Sequence, residues 1–125
     1  MIKTLKSQIN NEVIIAEQYN QSVIAQTDKS IAIATSLYST ATTLVKNTIA
    51  IATGISSIAT ALKSDTLAIS WGGRVKGVKG SWIMAIDFDD AKGMDMAVGR
   101  VDGINIKADT WYILKDGKLV EAGEE

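Results

Sequence analysis

The 125-residue chain contains no cysteine and no histidine. Those two absences exclude disulfides, thiolate nucleophiles, the usual zinc sites and the Ser-His-Asp constellation. Carboxylate, lysine, tyrosine or serine chemistry remains open, but with the commonest general base gone, no catalytic residue, cofactor or metal is expected. Charge is scarce too: from Ser30 to Lys63 there is no Glu, Gln, Asp or Arg, and the first glycine is Gly54. The most apolar stretch, Thr48 to Leu62, is broken by Thr and Ser. It falls short of the roughly 20 residues that a membrane helix needs, so no membrane partner is expected. Met1 to Lys6 carries charge without an uninterrupted apolar run behind it, so no signal peptide is expected and the chain reads as soluble.

What is present is a repeated phrase. Ser30-Ile-Ala-Ile-Ala-Thr35 returns as Thr48-Ile-Ala-Ile-Ala-Thr53 and, degraded, as Thr66-Leu-Ala-Ile-Ser70. Upstream, Val13-Ile-Ile-Ala16 stands at the same 18-residue interval, and a weaker echo aligns Leu37 to Thr42 with Ile55 to Thr60. A repeat this short is one unit of a stacked architecture rather than a separate fold. Alternating large and small side chains fits strands, and corner residues such as Lys29, Lys46 and Lys63 fit turns. The expected fold is all-β: a short β-solenoid of about four coils over residues 12–80, with a short N-terminal helix and a C-terminal β cap. Ile31 and Ile33 are expected to fill a narrow lumen, leaving Ala32 and Ala34 as a flat outer wall.

A trimeric coiled coil is the rival, because apolar residues recur every seven positions from Ile2 through Val23 and Leu37 to Ile58. Composition speaks against it. Between Ser30 and Lys63, 14 of 34 residues are β-branched, flanking positions lack charge, and Gly54 interrupts the run. Only residues 1–11 read as helical, with Ile2, Leu5 and Ile9 on one face.

From Ser81 the repeat dissolves and residues 81–125 read as a capping module. Trp82 to Phe88 and Met94 to Val101 are expected strands around the Asp89 to Gly93 turn, and Trp111 to Leu114 pairs with Lys118 to Glu121 across Asp116-Gly117. A cap of this kind blocks the unpaired end of a stack. Charge divides along the same line. Residues 1–80 hold 8 basic and 4 acidic side chains, and residues 81–125 hold 5 and 10.

The SIAIAT-type repeats, the coil Gly77-Val-Lys-Gly-Ser-Trp-Ile-Met84 and the ending Val101 to Glu121, with Asp-Thr-Trp-Tyr before Lys-Asp-Gly-Lys-Leu-Val, resemble small repeat proteins encoded by phages and prophages of gut bacteria. Their repeats are similar to the left-handed β-roll of trimeric adhesin heads. The resemblance implies a homotrimeric solenoid in a viral setting, virion-associated or in the host cytoplasm. Its expected role is non-enzymatic attachment or display, as in a tail fibre. The alternative is a small counter-defence protein that occupies a host protein or sequesters an anionic signal.

The densest candidate binding segment is Trp71-Gly-Gly-Arg-Val-Lys-Gly-Val-Lys-Gly80, with Trp71, Arg74, Lys76 and Lys79 beside Trp82. Cations interleaved with flexible backbone and indoles suit a glycan, an anionic ligand or a host protein surface. Nucleic acid is disfavoured, and the plain reading is a glycine-rich joint whose charges keep an edge strand soluble. The acidic turn Asp87 to Asp95 misses the calcium-loop pattern, since Lys92 stands where glycine is needed and Val98 where a bidentate Glu belongs.

Overall fold

The computed structural model describes residues 4–18, 20–54 and 56–122. The chain forms a β-solenoid of about four turns, in which two strands per turn alternate between two facing sheets. Sheet A takes β1 (Thr4–Lys6), β3 (Ser22–Ala25), β5 (Thr40–Thr43), β7 (Ile58–Ala61) and β9 (Arg74–Gly77). Sheet B takes β2 (Val13–Ala16), β4 (Ile31–Ala34), β6 (Ile49–Ala52), β8 (Leu67–Trp71) and β10 (Trp82–Asp89). Every neighbouring pair in these ladders is parallel, and identical phrases fall in register: Ile31 pairs with Ile49, Ala32 with Ala50, Ile33 with Ile51.

Each turn as far as Asp65 is built from two nine-residue arms, and the last is shorter, with Leu67 and Trp82 only 15 residues apart. Asn11, Asn20, Lys29, Tyr38, Asn47, Ser56 and Asp65, nine apart, all have φ between 56° and 62°. This left-handed backbone lets each corner reverse the chain in five residues, and Asn and Asp enter it most readily. From Lys29 onward the residue after each of these left-handed corners is a buried Ser or Thr, and it closes the turn. Ser30, Thr48, Thr66 and Ser81 each donate to the carbonyl three residues back, at 2.6 to 2.7 Å. On the opposite edge Ser57 donates to the Ser36 carbonyl at 2.8 Å, one coil earlier.

The lumen is the reverse of the sequence expectation. Ala16, Ala32, Ala34, Ala41, Ala50, Ala52, Ala59, Ala61 and Ala68 are fully buried, while Ile31, Ile33, Ile49 and Ile51 point outward and are only partly covered. Arms of nine residues turn so tightly that the two sheets leave room mainly for Ala, Ser, Thr and an occasional Val, such as Val23 and Val75; the larger Ile83 is fully buried in the last turn, beside Gly77. Alternation separated the two faces correctly; the tight corners decide which face is inside.

No helix occurs among the described residues. The expected N-terminal helix is corrected from residue 4 onward, where β1 pairs with β3 through Leu5 and Val23; its first three residues lie outside the described ones. Ile9, assigned to the apolar face of that helix, is exposed. Backbone pairing along an existing sheet edge, with Leu5 packed against the core, outweighs helical spacing in so short a segment.

Parallel stacking continues through Ile86, beyond the boundary expected at Gly80. The chain then turns antiparallel. β11 (Gly93–Arg100) pairs with β10 along its whole length, and β12 (Tyr112–Lys115) meets β9 at Tyr112 and Val75 before pairing with β13 (Lys118–Glu121). Asp116 and Gly117, both at positive φ, make the predicted tight hairpin. Val101 and Tyr112 are buried, and Ile106, Leu114 and Leu119 pack against the core from this end. The parallel ladder thus ends in antiparallel partners.

Candidate functional site

Because Ala points inward at every second position, the intervening residues of sheet B form one outer surface in three columns. Next to one corner edge run Val13, Ile31, Ile49, Leu67, Trp82 and Arg100. The central column is Ile15, Ile33, Ile51, Ile69, Met84 and Val98. Along the other edge stand Glu17, Thr35, Thr53, Trp71, Ile86 and Met96, with Phe88 and Met94 paired beyond them. The two charges, Glu17 and Arg100, sit at diagonally opposite ends. Six strands at about 4.8 Å give a face about 24 Å long, and three alternate positions make it about 14 Å wide. An exposed apolar patch of this extent matches the largest that soluble monomers carry, about 300–600 Å², and such patches are often functional.

Sheet A is more mixed. Its outward columns are Thr4, Ser22, Thr40, Ile58 and Arg74, and Lys6, Ile24, Thr42, Thr60 and Lys76, with Leu44 and Leu62, both 46% exposed, in the column past β5 and β7. Hydroxyl, charged and aliphatic side chains alternate there, whereas the outer face of sheet B is mostly aliphatic.

The five residues singled out in the sequence do not form one cluster. Arg74 and Lys76 lie side by side on sheet A and cover Trp111, at 5.2 and 4.5 Å from its ring centre. Lys76 also pairs with Asp109 at 3.1 Å. These cations clamp the loop before β12 onto the last turn. Lys79 stands at a corner near Gly103. Trp71 and Trp82 are on sheet B, 37% and 45% exposed, at opposite lateral edges of its outer face. The glycines between them have steric reasons: a Cβ on Gly73 would lie 2.0 Å from the Ser57 carbonyl oxygen, and one on Gly77 would lie 2.2 Å from Ser81 Oγ.

Beside Trp82 the face dips into a groove of about 530 Å³. Ile49, Leu67, Met84 and Val98 make it apolar, while Asn47 and Asp65, at left-handed corners one full turn apart on the same edge, form a polar rim. Asn47 is held by Asp28 at 3.3 Å. The Asp65 carboxylate has no hydrogen-bond or ion-pair partner among the described residues. Sequence reasoning missed this groove because Asn47, Asp65 and Trp82 are far apart in the chain. The signal that places them together is the nine-residue recurrence of corner residues.

Among the described residues, no three acidic side chains are placed to hold a metal ion. Among the described residues, the carboxylate with a displaced titration is Asp102, in the loop after β11. Its oxygens accept backbone N–H groups of Ile104, Asn105 and Ile106 at 2.8, 2.9 and 3.1 Å, which hold its pKa below the ordinary 3.8. That carboxylate organises the cap and faces no candidate ligand surface. No family model, curated protein or solved structure matches the chain.

Proposed function

We propose that the chain is a non-enzymatic structural and binding module that self-associates through the outer face of sheet B, as three parallel copies. The observation that carries the reading is the unbroken apolar central column of sheet B, Ile15 to Val98. Three such faces around one axis bring the central columns together, rung by rung, and remove from water the side chains that a lone solenoid leaves wet. In the setting that the resemblance implies, the product is a short rigid rod for attachment or display in a phage assembly. Sheet A then faces outward. The counter-defence alternative rests on small size, the viral resemblance and the basic segment; of that segment's cations, Arg74 and Lys76 are engaged with Trp111 and Asp109.

Sedimentation equilibrium tests the reading. The native chain should have three times its 13.4 kDa mass, and the double variant Ile33→Lys/Ile51→Lys should be a monomer with an unchanged far-ultraviolet β spectrum. A native chain that stays monomeric at tens of micromolar would remove the proposal.

A further inference from the structure

We infer that the groove beside Trp82 receives the Trp71 indole of a neighbouring copy, so that the same face carries both the knob and the hole of a closed ring. The inference rests on the self-association proposed above and adds the contact that sets its geometry. Three observations carry it.

The first is height. Rotation about an axis parallel to the solenoid leaves every residue at its own rung, so only features of equal height can meet between copies. The groove spans β6, β8 and β10 and is centred on Leu67 of β8. Trp71 ends that same strand. The second is lateral position. The groove opens along the edge column of Ile49, Leu67 and Trp82, whereas Trp71 stands in the column on the other edge, with Thr53 and Ile86. A cyclic arrangement of one face brings one edge of each copy against the opposite edge of the next. A two-fold pair of antiparallel copies would instead bring β8 of one copy toward a different rung of the other.

The third is chemistry. An indole is an apolar body with a single N–H donor, which needs an acceptor once it is buried. The groove supplies apolar walls and, at its rim, the unpartnered Asp65 carboxylate. The indole N–H of Trp71 has no acceptor among the described residues either. In the lone chain both residues are exposed to water; burying the indole in the groove places its N–H donor at a rim that carries a carboxylate acceptor. The contact is heterologous, knob to hole, and closes a ring when the rotation between neighbours divides a full turn.

Cross-linking tests the geometry directly, since the chain has no cysteine of its own. Ile49 opens β6 and Thr53 directly follows its last residue, so the two are at one height on opposite edges, four residues apart. An extended segment of that length spans about 13 Å, too far for a disulfide within one copy. Oxidised Ile49→Cys/Thr53→Cys should run as covalent dimer and trimer on a non-reducing gel, while each single variant runs as a monomer. Single variants that cross-link as well as the double one, or a trimeric double variant that forms no covalent species, would overturn the inference.

A second measurement isolates Trp71 by Trp82→Phe/Trp111→Phe. Its emission should be blue-shifted in the associated protein and move red on dilution. In the native background, Trp71→Ala should raise the dissociation midpoint at least tenfold. A trimer whose Trp71 emits like a water-exposed indole overturns this contact and leaves self-association standing; a native monomer overturns both.

Discussion

Ala50 has no accessible surface and lies between Ala32 and Ala68 in the sheet B ladder, facing the alanines of sheet A. Its neighbour Ile51 points the other way and is half-covered. One strand therefore offers two adjacent positions with opposite tolerance. Ala50→Leu forces methyl groups into a lumen built for alanine and should cost about 1–3 kcal/mol or more, read as a lowered urea midpoint. Ile51→Leu should leave that midpoint nearly unchanged. At this scale the sequence was half legible. The alternation Ile-Ala-Ile-Ala announces two faces, and the usual preference for burying the larger side chain points to the wrong one as the interior. What reverses it is a distance between sheets that no four-residue phrase encodes.

Between strands, the corners and loops decide the fold. Left-handed backbone at every ninth residue is served by Asn, Asp, Ser, Lys and Tyr in turn, so no single residue type marks the corner, and Lys46 and Lys63 stand beside it rather than at it. Ser and Thr just past the corner are the steadier signal, because each answers a carbonyl that the turn would otherwise bury unpaired. The loop after β11 works by the same logic with a charge. Asp102 gathers three N–H groups, and its pKa is depressed, so its contribution is complete above the unfolded value of 3.8 and is lost as pH falls through the folded value below it. Hydrogen exchange at Ile104, Asn105 and Ile106 should accelerate relative to the solenoid core below pH 4 in the native chain. Asp102→Asn should show fast exchange there at neutral pH as well, with little further change on acidification. Equal protection in both proteins at pH 7 would contradict this role.

For the whole molecule, charge and shape combine. The first 80 residues are net basic and the last 45 net acidic, so parallel copies place like charge beside like at both ends. Raising ionic strength from about 0.02 to 0.5 M shortens the screening length from roughly 20 Å to under 5 Å. The trimer midpoint should therefore fall to lower protein concentration as salt is added. An antiparallel assembly, with basic ends against acidic ones, would weaken instead, so the sign of the salt effect reports the orientation. Sedimentation at two salt concentrations is enough to read it.

The sequence by itself determined that the chain winds, how many residues complete a turn, and that a hairpin closes its far end: an 18-residue phrase and an Asp-Gly turn are local statements, and backbone pairing follows from them. Only the tertiary structure decided which side of each strand is wet. That choice depends on how close two sheets come when nine-residue arms join them, and the same closeness puts the isoleucines outside, gathers Trp71 and Trp82 onto one face, and gives that face a groove. Inside and outside are properties of the closed turn, set by space that exists only once the corners have been made.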